Sequence, residues 1–285
     1  ASILANYFSQ NGYEVIYIAA YSDKEEYELD KKIKVFFVRT KFKNKLIKLI
    51  DRNIKIYSAL KKFGVDIVYS FIINDLILTL CKGMQIIYSL RNDPSHVDNG
   101  IIASKLREFS YSHAKHIVFQ TEGAQAYFKK NIRDNSSIIT NPMNVDILSY
   151  WNETNNDVFI SACRLNEQKN LPMLINAFKQ IHEKYPKYKL NIYGEGQLRK
   201  QLENQIEFLG ANNYIELKGR TTKIHEIMSE SFAFVSSSNF EGLSNSMLEA
   251  LAIGIPCICT DCPPGGARTF INNMDNGILT PVGDT

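Results

Sequence analysis

The chain lacks any apolar run long enough to cross a membrane as a helix. Its strongest candidate, Phe71 to Leu80, is short and interrupted by Asn74 and Asp75, whereas a spanning helix needs about 18 apolar residues. We also expect no signal peptide. We therefore expect a cytoplasmic protein.

Cysteine is scarce and odd in number, with five in 285 residues. An odd count in a long chain argues against a disulfide framework and for a reducing compartment. Cys257, Cys259 and Cys262 lie close together, but Ile255 to Thr260 has the pattern of a buried strand in which cysteine acts as a small apolar residue. No fourth ligand with zinc spacing is nearby, so we expect no metal site.

Hydrophobic residues make up 45% of the chain, charged residues make up 22%, and the net charge is +3. These values are typical of a globular protein, and the length suits two domains of about 140 residues, each able to bury a core. We place the domains at 1–150 and 151–285.

Strand and helix patterns alternate along both halves, which predicts an α/β protein with parallel sheets. We predict two doubly wound, Rossmann-like domains, joined between Asn141 and Asp157, with a ligand cleft between them. The predicted strands of the first half are Val15 to Ala19, Val35 to Val38, Ile67 to Tyr69, Ile86 to Leu90 and His116 to Phe119. Those of the second half are Val158 to Ala162, Lys189 to Tyr193, Tyr214 to Lys218, Phe232 to Val235 and Pro256 to Thr260.

The segment from Phe232 to Asp261 carries the clearest functional pattern, because it predicts a strand, a polar loop, a helix and a second strand. Glu241 lies in the loop and Glu249 on the helix. In the loop, Gly242 would let the backbone approach a ligand closely. The helix can be capped by Ser244 or Asn245, and the N–H groups of its first turn suit a diphosphate.

Two carboxylates also suggest a glycosidase, whose acid and base or nucleophile lie about 5 to 10 Å apart. If both lay on one helix, the Cα atoms of Glu241 and Glu249 would be roughly 12 Å apart. Because Glu241 lies in a loop, the distance stays open. Two separate acceptors, for sugar and ribose hydroxyls, fit the pair better.

Together with these glutamates, an ordered set of motifs resembles the retaining family 4 glycosyltransferases, or glycosyl transferases group 1, which have the GT-B fold. The set covers the chain from about residue 158 to its end. It consists of Arg164-Leu-Asn-Glu-Gln-Lys-Asn170, Tyr193-Gly-Glu-Gly196, Leu217-Lys-Gly219, Leu248-Glu-Ala-Leu-Ala252, Gly254, Pro256, Thr260-Asp261, Asn276-Gly277 and Pro281-Val-Gly-Asp284.

The resemblance implies an acceptor-binding domain over 1–150 and a nucleotide-sugar donor domain over 151–285. It also implies a chain truncated at both ends. The predicted helix Ser2 to Gln10, closed by Gly12, would normally follow a strand and a glycine-rich turn, and further helices would follow Thr285.

Site residues carried over from the resemblance begin with Arg164 and Lys169, which would hold the donor's diphosphate. Glu249 would accept hydrogen bonds from the ribose and Glu241 would face the transferred sugar. The backbone of Phe240, Gly242, Leu243 and Ser244 would close around sugar and phosphates, and the base would lie near Gly219 and Arg220. Since cations can stabilise the departing diphosphate, we expect neither a metal nor another cofactor.

Cys163 departs from the family pattern, which usually has glycine before the arginine of this loop. Its side chain would crowd a close backbone approach to phosphate.

The segment Ser89-Leu-Arg-Asn-Asp-Pro-Ser-His96 follows a predicted strand. It resembles the Arg-Asn-Asp-Pro segment of bacterial capsule, O-antigen and exopolysaccharide members of the family, as do Phe119-Gln-Thr121 and Asn141-Pro142. Asp93 or His96 could touch the transferred sugar or the acceptor hydroxyl, with Arg91 and Asn92 on the acceptor side. The alternative is an Asp-Pro turn with a surface histidine.

Lysines between Lys41 and Lys62 surround apolar residues in a basic amphipathic stretch. Such a stretch can lie on an anionic membrane, or it can be a helix that covers the sheet and leaves its lysines in solvent. No nucleic-acid-binding motif accompanies the lysines, so we expect no nucleic-acid partner.

Three other classes of protein are alternatives to a glycosyltransferase. An NAD oxidoreductase lacks support, because Gly194-Glu-Gly196 is followed by Gln197-Leu-Arg199 and the third glycine of a dinucleotide-binding turn is absent. A GT-B-type sugar-nucleotide epimerase or a non-catalytic nucleotide-sugar-binding fragment would share the pocket.

The sequence therefore predicts a cytoplasmic hexosyltransferase of surface polysaccharide biosynthesis, which would lie at the inner face of the cell membrane if the basic stretch binds lipid. Its donor would be a UDP-sugar, with a GDP-sugar as the alternative, and would carry a hexose or an N-acetylhexosamine. Its acceptor would be a glycan or a polyprenyl-linked glycan. Retention of anomeric configuration is implied by the resemblance alone.

Overall fold

A computed structural model describes residues 1–20, 28–71, 84–97, 100–143, 150–152 and 156–284. Most of the apolar run from Phe71 to Leu80 and parts of the predicted connection between Asn141 and Asp157 lie outside these residues. Within the described ranges, no helix is both long and apolar enough to span a bilayer.

The chain divides into two compact units. The first consists of Ala1–Leu90, Asp98–Val118 and Phe128–Ser137, and the second of Arg91–Val97, Phe119–Tyr127 and Ile138–Thr285. Two short segments from the first half of the sequence thus belong to the second unit. One of them carries Asp93 and His96.

The first unit contains two parallel sheets. Strands β1 and β2 form one sheet, and β3, β4, β5 and β6 form the other in that order. The elements of this half of the chain are α1 (Ser2–Gln10), β1 (Ile16–Ala19), β2 (Lys34–Phe37), α2 (Lys45–Phe63), β3 (Ile67–Ser70), β4 (Gln85–Ser89), α3 (Ile101–Ser112), β5 (His116–Phe119), α4 (Glu122–Ala126), α5 (Lys130–Asp134) and β6 (Ser136–Ile138).

The second unit is built on a six-stranded sheet with the order β12-β11-β10-β7-β8-β9, and all of its pairings are parallel. Its elements are β7 (Val158–Ala162), α6 (Leu171–Lys184), β8 (Lys189–Tyr193), α7 (Arg199–Phe208), β9 (Ile215–Gly219), α8 (Ile224–Ser229), β10 (Ala233–Ser236), α9 (Asn245–Ile253), β11 (Cys257–Thr260) and β12 (Gly277–Thr280).

Local sequence explains the helices of this unit. Helix α6 carries a proline in its first turn, and buries Leu171, Leu174, Ile175 and Phe178 at the spacing of one helical face. Helix α9 ends at Gly254, whose φ of 88° is the left-handed conformation that closes many helices.

All ten predicted strands are present, with every end within one residue of its prediction, and the α/β class with parallel sheets is confirmed. The prediction missed β6, which has three residues, and β12, which begins at a glycine. Helix α1 has the predicted bounds.

The order of the sheet sets the position of the site. From β7 the chain winds outward through β8 and β9, and it then returns to β10 and winds the other way through β11 and β12. The strand order therefore reverses between β7 and β10. In open parallel sheets, ligands bind beyond the carboxyl ends of the strands at such a reversal.

Candidate functional site

The loops that leave β7 and β10 meet through an ion pair between Lys169 and Glu241. Lys169 ends a short 3₁₀ turn in the first loop, and its carbonyl oxygen accepts a hydrogen bond of 2.8 Å from the Ser237 hydroxyl. Both charged side chains are largely buried. The structure thus brings together two of the residues predicted to contact the donor.

The loop after β7 is held by the glycines that follow β8. Cys163 N–H donates to the Tyr193 carbonyl at 2.9 Å, and Leu165 N–H donates to the Glu195 carbonyl at 3.1 Å. A Cβ atom at Gly194 or Gly196 would overlap the carbonyl oxygen of Cys163 or Leu165. The two glycines therefore allow the close approach that fixes the backbone beside Arg164, whose side chain is exposed.

Cys163, which stands where the family usually has glycine, is a tolerated variation. It packs against the core formed around Ile175, Leu190 and Ile192, and burial raises the pKa of its thiol. A residue larger than glycine is accommodated here because its side chain has apolar neighbours beneath the loop.

The turn between β10 and α9 is fixed at several successive residues. The Ser238 carbonyl accepts from the Thr260 hydroxyl at 2.6 Å, and Asn239 N–H donates to the Gln168 carbonyl at 2.9 Å. The Phe240 carbonyl accepts from the Gln168 side chain at 3.0 Å, and Glu241 N–H donates to the Pro263 carbonyl at 2.9 Å. Hydrogen bonds to neighbouring loops therefore hold the turn at each residue from Ser238 to Glu241.

Gly242 has a packing role that the sequence did not predict. A Cβ atom there would lie 2.5 Å from the Arg91 carbonyl oxygen and 2.8 Å from Gln120 Oε1. On that side the close approach is made by the protein's own chain rather than by a ligand.

Of the two residues predicted to cap helix α9, Ser244 is the N-cap and Asn245 is the first helical residue. The Ser244 hydroxyl accepts from Met247 N–H at 3.4 Å, and the preceding residue, Leu243, is buried. Glu249, on this helix, lies 3.3 Å from Nε2 of His225 on α8. We did not predict a role for His225, and no local motif marks it.

The segment Arg91–Val97 lies beside this turn within the second unit. The Asp93 carboxylate is 2% exposed, and it accepts from Ser95 N–H at 3.0 Å and from the Ser95 hydroxyl at 2.9 Å. It also lies 2.8 Å from His96 Nδ1, and the imidazole stacks on the Phe240 ring at 4.0 Å between centroids. Asp93 thus forms the expected turn and also orients His96 next to the residue that precedes Glu241.

Asn92 and Arg91, at the start of the segment, also form hydrogen bonds within the second unit. The Asn92 side chain accepts from Asp93 N–H at 2.9 Å and from the Gln168 side chain at 3.5 Å. Burial lowers the pKa of the Arg91 guanidinium, which donates to the side chain of Asn141.

At the end of β9, Gly219 has a φ of 76°, and its carbonyl accepts from Gly194 N–H at 2.8 Å. This bond ties the predicted base-binding position to the same glycine turn that supports the Arg164 loop. The next residue, Arg220, is exposed.

Cys257, Cys259 and Cys262 are buried and free of disulfides. Burial raises the pKa of Cys257 to about 12 and that of Cys262 to about 11, and raises the pKa of Cys259 as well. Their thiols are therefore neutral near pH 7. Within the described ranges, no group of three or more His, Cys, Asp or Glu side chains could hold a metal ion.

Comparisons with known proteins identify the family of this chain. The family model described as "Glycosyl transferases group 1" matches residues 150–285. An uncharacterized glycosyltransferase of Methanocaldococcus jannaschii is 30% identical, over 89% of this chain and 70% of that protein.

Two further proteins are similar over different shares of their length. The GtfA subunit of UDP-N-acetylglucosamine–peptide N-acetylglucosaminyltransferase of Streptococcus gordonii is 30% identical, over 65% of this chain and 38% of that subunit. The crystal structure of Anabaena HepE in complex with UDP and glucose has a TM-score of 0.74 at 19% identity, over 88% of this chain and 73% of that chain. At this identity the likeness to HepE shows the fold, whereas the match to the M. jannaschii protein shows the family.

Proposed function

This chain belongs to the glycosyl transferases group 1 family of GT-B fold, and we propose that it moves a hexose or an N-acetylhexosamine from a nucleoside-diphosphate sugar to a saccharide or a lipid-linked saccharide. The bond forms with retention of anomeric configuration. The observation that carries the proposal is the ion pair between Lys169 and Glu241 at the reversal of the strand order, next to the start of α9.

The donor's diphosphate binds to Lys169, Arg164 and the N–H groups at the start of α9. When the sugar leaves, negative charge develops on the diphosphate, and these fixed donors stabilise it. Removal of one such donor in other enzymes lowers the rate by about 10²- to 10³-fold. These groups supply the positive charge at the leaving group, so the reaction requires no metal ion or other cofactor.

Glu241 and Glu249 have separate roles. Glu241 faces the transferred sugar, while Glu249 accepts hydrogen bonds from the ribose hydroxyls. The backbone from Phe240 to Ser244 closes around sugar and phosphates, and Gly219 and Arg220 face the base.

Asp93 and His96 lie on the acceptor side, with Arg91 and Asn92. Because Nδ1 of His96 faces the Asp93 carboxylate, Nε2 is the imidazole nitrogen left to meet a hydroxyl of the acceptor or of the transferred sugar. The stack on Phe240 fixes the plane of the ring.

UDP is the proposed nucleotide and GDP the alternative. Support comes from the GtfA subunit, which is named for UDP-N-acetylglucosamine, and from HepE, whose crystals hold UDP and glucose. We place the reaction in surface polysaccharide biosynthesis, at the cytoplasmic side of the membrane.

Calorimetric titration with UDP, GDP and NAD tests the donor site. We expect UDP to bind, and Glu249→Ala and Arg164→Ala each to weaken its affinity by about tenfold, which is about 1.4 kcal/mol. Lys200→Ala, at an exposed lysine on α7, is the control and should bind UDP normally. If only NAD bound, or if both site variants bound UDP normally, the proposed donor site would be wrong.

A sugar-nucleotide epimerase would share this pocket. It would convert the sugar of a UDP-sugar without an acceptor, so incubation with the donor alone separates the two enzymes. A non-catalytic binding fragment would bind UDP and show neither transfer nor conversion.

Helix α2 supports a peripheral contact with an anionic membrane. Its inner face buries Arg52 and Asn53, whereas Ile47, Ile50 and Ile54 are 47%, 48% and 54% exposed. These isoleucines form a stripe at i, i+3 and i+7, flanked by exposed lysines such as Lys48 and Lys62. Apolar and cationic side chains on one outer surface match a bilayer containing anionic lipid.

Co-sedimentation with vesicles tests this contact. The chain should bind phosphatidylcholine vesicles that contain phosphatidylglycerol, and a double Ile50→Ser, Ile54→Ser variant should bind about tenfold less. Ile181→Ser, at a partly exposed position on α6, is the matched control. If binding depends on neither the isoleucines nor the lipid charge, this face of α2 does not contact the bilayer and stays in solvent.

A further inference from the structure

The side chain of Asn141 occupies the centre of a hydrogen-bond network beside the start of α9. Its Oδ1 accepts from the Arg91 guanidinium and from the Gln120 amide. Its Nδ2 donates to the Leu243 carbonyl at 3.3 Å and to Asn245 Oδ1 at 2.7 Å. Since arginine has no acceptor, the carboxamide oxygen must be the atom that faces Arg91, and all four bonding positions of the amide are used.

The two acceptors of Asn141 lie on either side of Ser244, the N-cap of α9. One amide group therefore holds the residue before the cap and the residue after it. This is the part of the turn where the backbone changes from loop to helix and where the unpaired N–H groups of the first turn begin.

The other end of the turn is held by different elements. Gln168 forms hydrogen bonds with the backbone of Asn239 and Phe240, and the Pro263 carbonyl accepts a hydrogen bond from Glu241 N–H. Beyond Glu241 comes Gly242, which as a glycine imposes little conformational restriction of its own. Asn141 supplies the restraint on the helix side of that glycine.

Arg91 and Gln120 restrain Asn141 in turn. Gln120 is buried and Arg91 is partly buried, and both also enclose the position where Gly242 would carry a side chain. The three polar residues and the turn thus form one packed group within the second unit.

We propose that Asn141 is a positioning residue for the donor's diphosphate. It holds Leu243 and Asn245 so that the N–H groups at the start of α9 point to the phosphates, and it does not touch the nucleotide. The inference rests on the proposed function, because it assumes that a nucleoside diphosphate binds at this helix start. Loss of this restraint lowers affinity because ordering the turn then opposes binding.

The test compares UDP with uridine, which has the same base and ribose but no phosphate. Asn141→Ala should weaken UDP binding about tenfold in calorimetry and leave uridine affinity, measured by competition, unchanged. Asn141→Asp should weaken UDP at least as much, because a carboxylate keeps the contacts to Arg91 and Gln120 but repels the Leu243 and Asn245 oxygens. Asn131→Ala, at an exposed asparagine of the first unit, is the control.

The outcomes distinguish failure of the proposed function from failure of the positioning role. Absence of UDP and GDP binding by the unaltered chain would overturn the proposed function and this role with it. UDP binding that survives Asn141→Ala, or equal losses for UDP and uridine, would overturn only the positioning role. If thermal unfolding shows that the Asn141 variants do not fold, the exposed Asn245→Ala variant breaks the same network and should show the same selective loss for UDP.

Discussion

Lys169→Ala should weaken UDP binding about 100-fold, or about 2.7 kcal/mol, which is the loss expected for a charge-assisted contact to phosphate. It should also destabilise the fold, because the largely buried Glu241 carboxylate would lose its cation. A cost of about 2 to 3 kcal/mol would lower the melting temperature by roughly 5 to 10 °C. Calorimetry and thermal unfolding of the same preparation measure both effects.

Glu241→Gln is the matched variant, and unlike Lys169→Ala it should not weaken UDP binding. The amide keeps the shape of the side chain but frees the charge of Lys169 for the diphosphate. UDP should therefore bind at least as tightly as to the unaltered chain, while transfer of the sugar is lost. If Glu241→Gln weakened UDP as much as Lys169→Ala, the assignment of separate phosphate and sugar roles would be wrong.

Gly194→Ala should strongly destabilise the second unit. The added Cβ would lie well inside the 3.0 Å below which such atoms essentially never approach a neighbour, and that neighbour is the Cys163 backbone carbonyl. The φ of 135° is also strained for alanine. Since neither backbone can move cheaply, we expect a loss of more than about 4 kcal/mol in the free energy of unfolding.

Gly210→Ala separates the two causes. Gly210 also has a positive φ, of 63°, but an added Cβ there meets nothing within 4 Å. Its variant should lose only about 1 kcal/mol, the cost of the backbone conformation. Urea denaturation of both variants gives the comparison, and equal losses would show that the contact with Cys163 does not restrict this turn.

Strand positions were predictable because each buried strand is a short apolar run bounded by polar or turn-forming residues. The run from Phe232 to Val235, followed by Ser236, is an example, and β10 is shifted by one residue only. Strand β6 gives no such signal, because two of its three residues are serine. Strand β12 begins at Gly277, directly after a turn in which Asn276 bonds to Asn272 and Phe270.

The site was predictable where it is local in sequence. The position of Glu241 in the loop, a cap at Ser244 or Asn245, and the position of Glu249 on the helix follow from the order of residues between β10 and β11. The contacts of Asn141 with Arg91 and Asn245 join residues separated by 50 and 104 positions. Because tertiary packing brings such residues together, the sequence around Asn141 could mark a motif but could not assign its partners.

Two segments from the first half of the chain, Arg91–Val97 and Phe119–Tyr127, belong to the second unit. This limits where the halves of two related enzymes can be joined in a chimera. A chimera joined near residue 150 would take these two segments from one parent and the turn from Phe240 to Asn245 from the other. Asn92 would then contact the other parent's residue at position 168, and Gln120 would contact the other parent's residue at position 242. Donor specificity should therefore transfer between homologues only when the segments travel with the turn that they pack against.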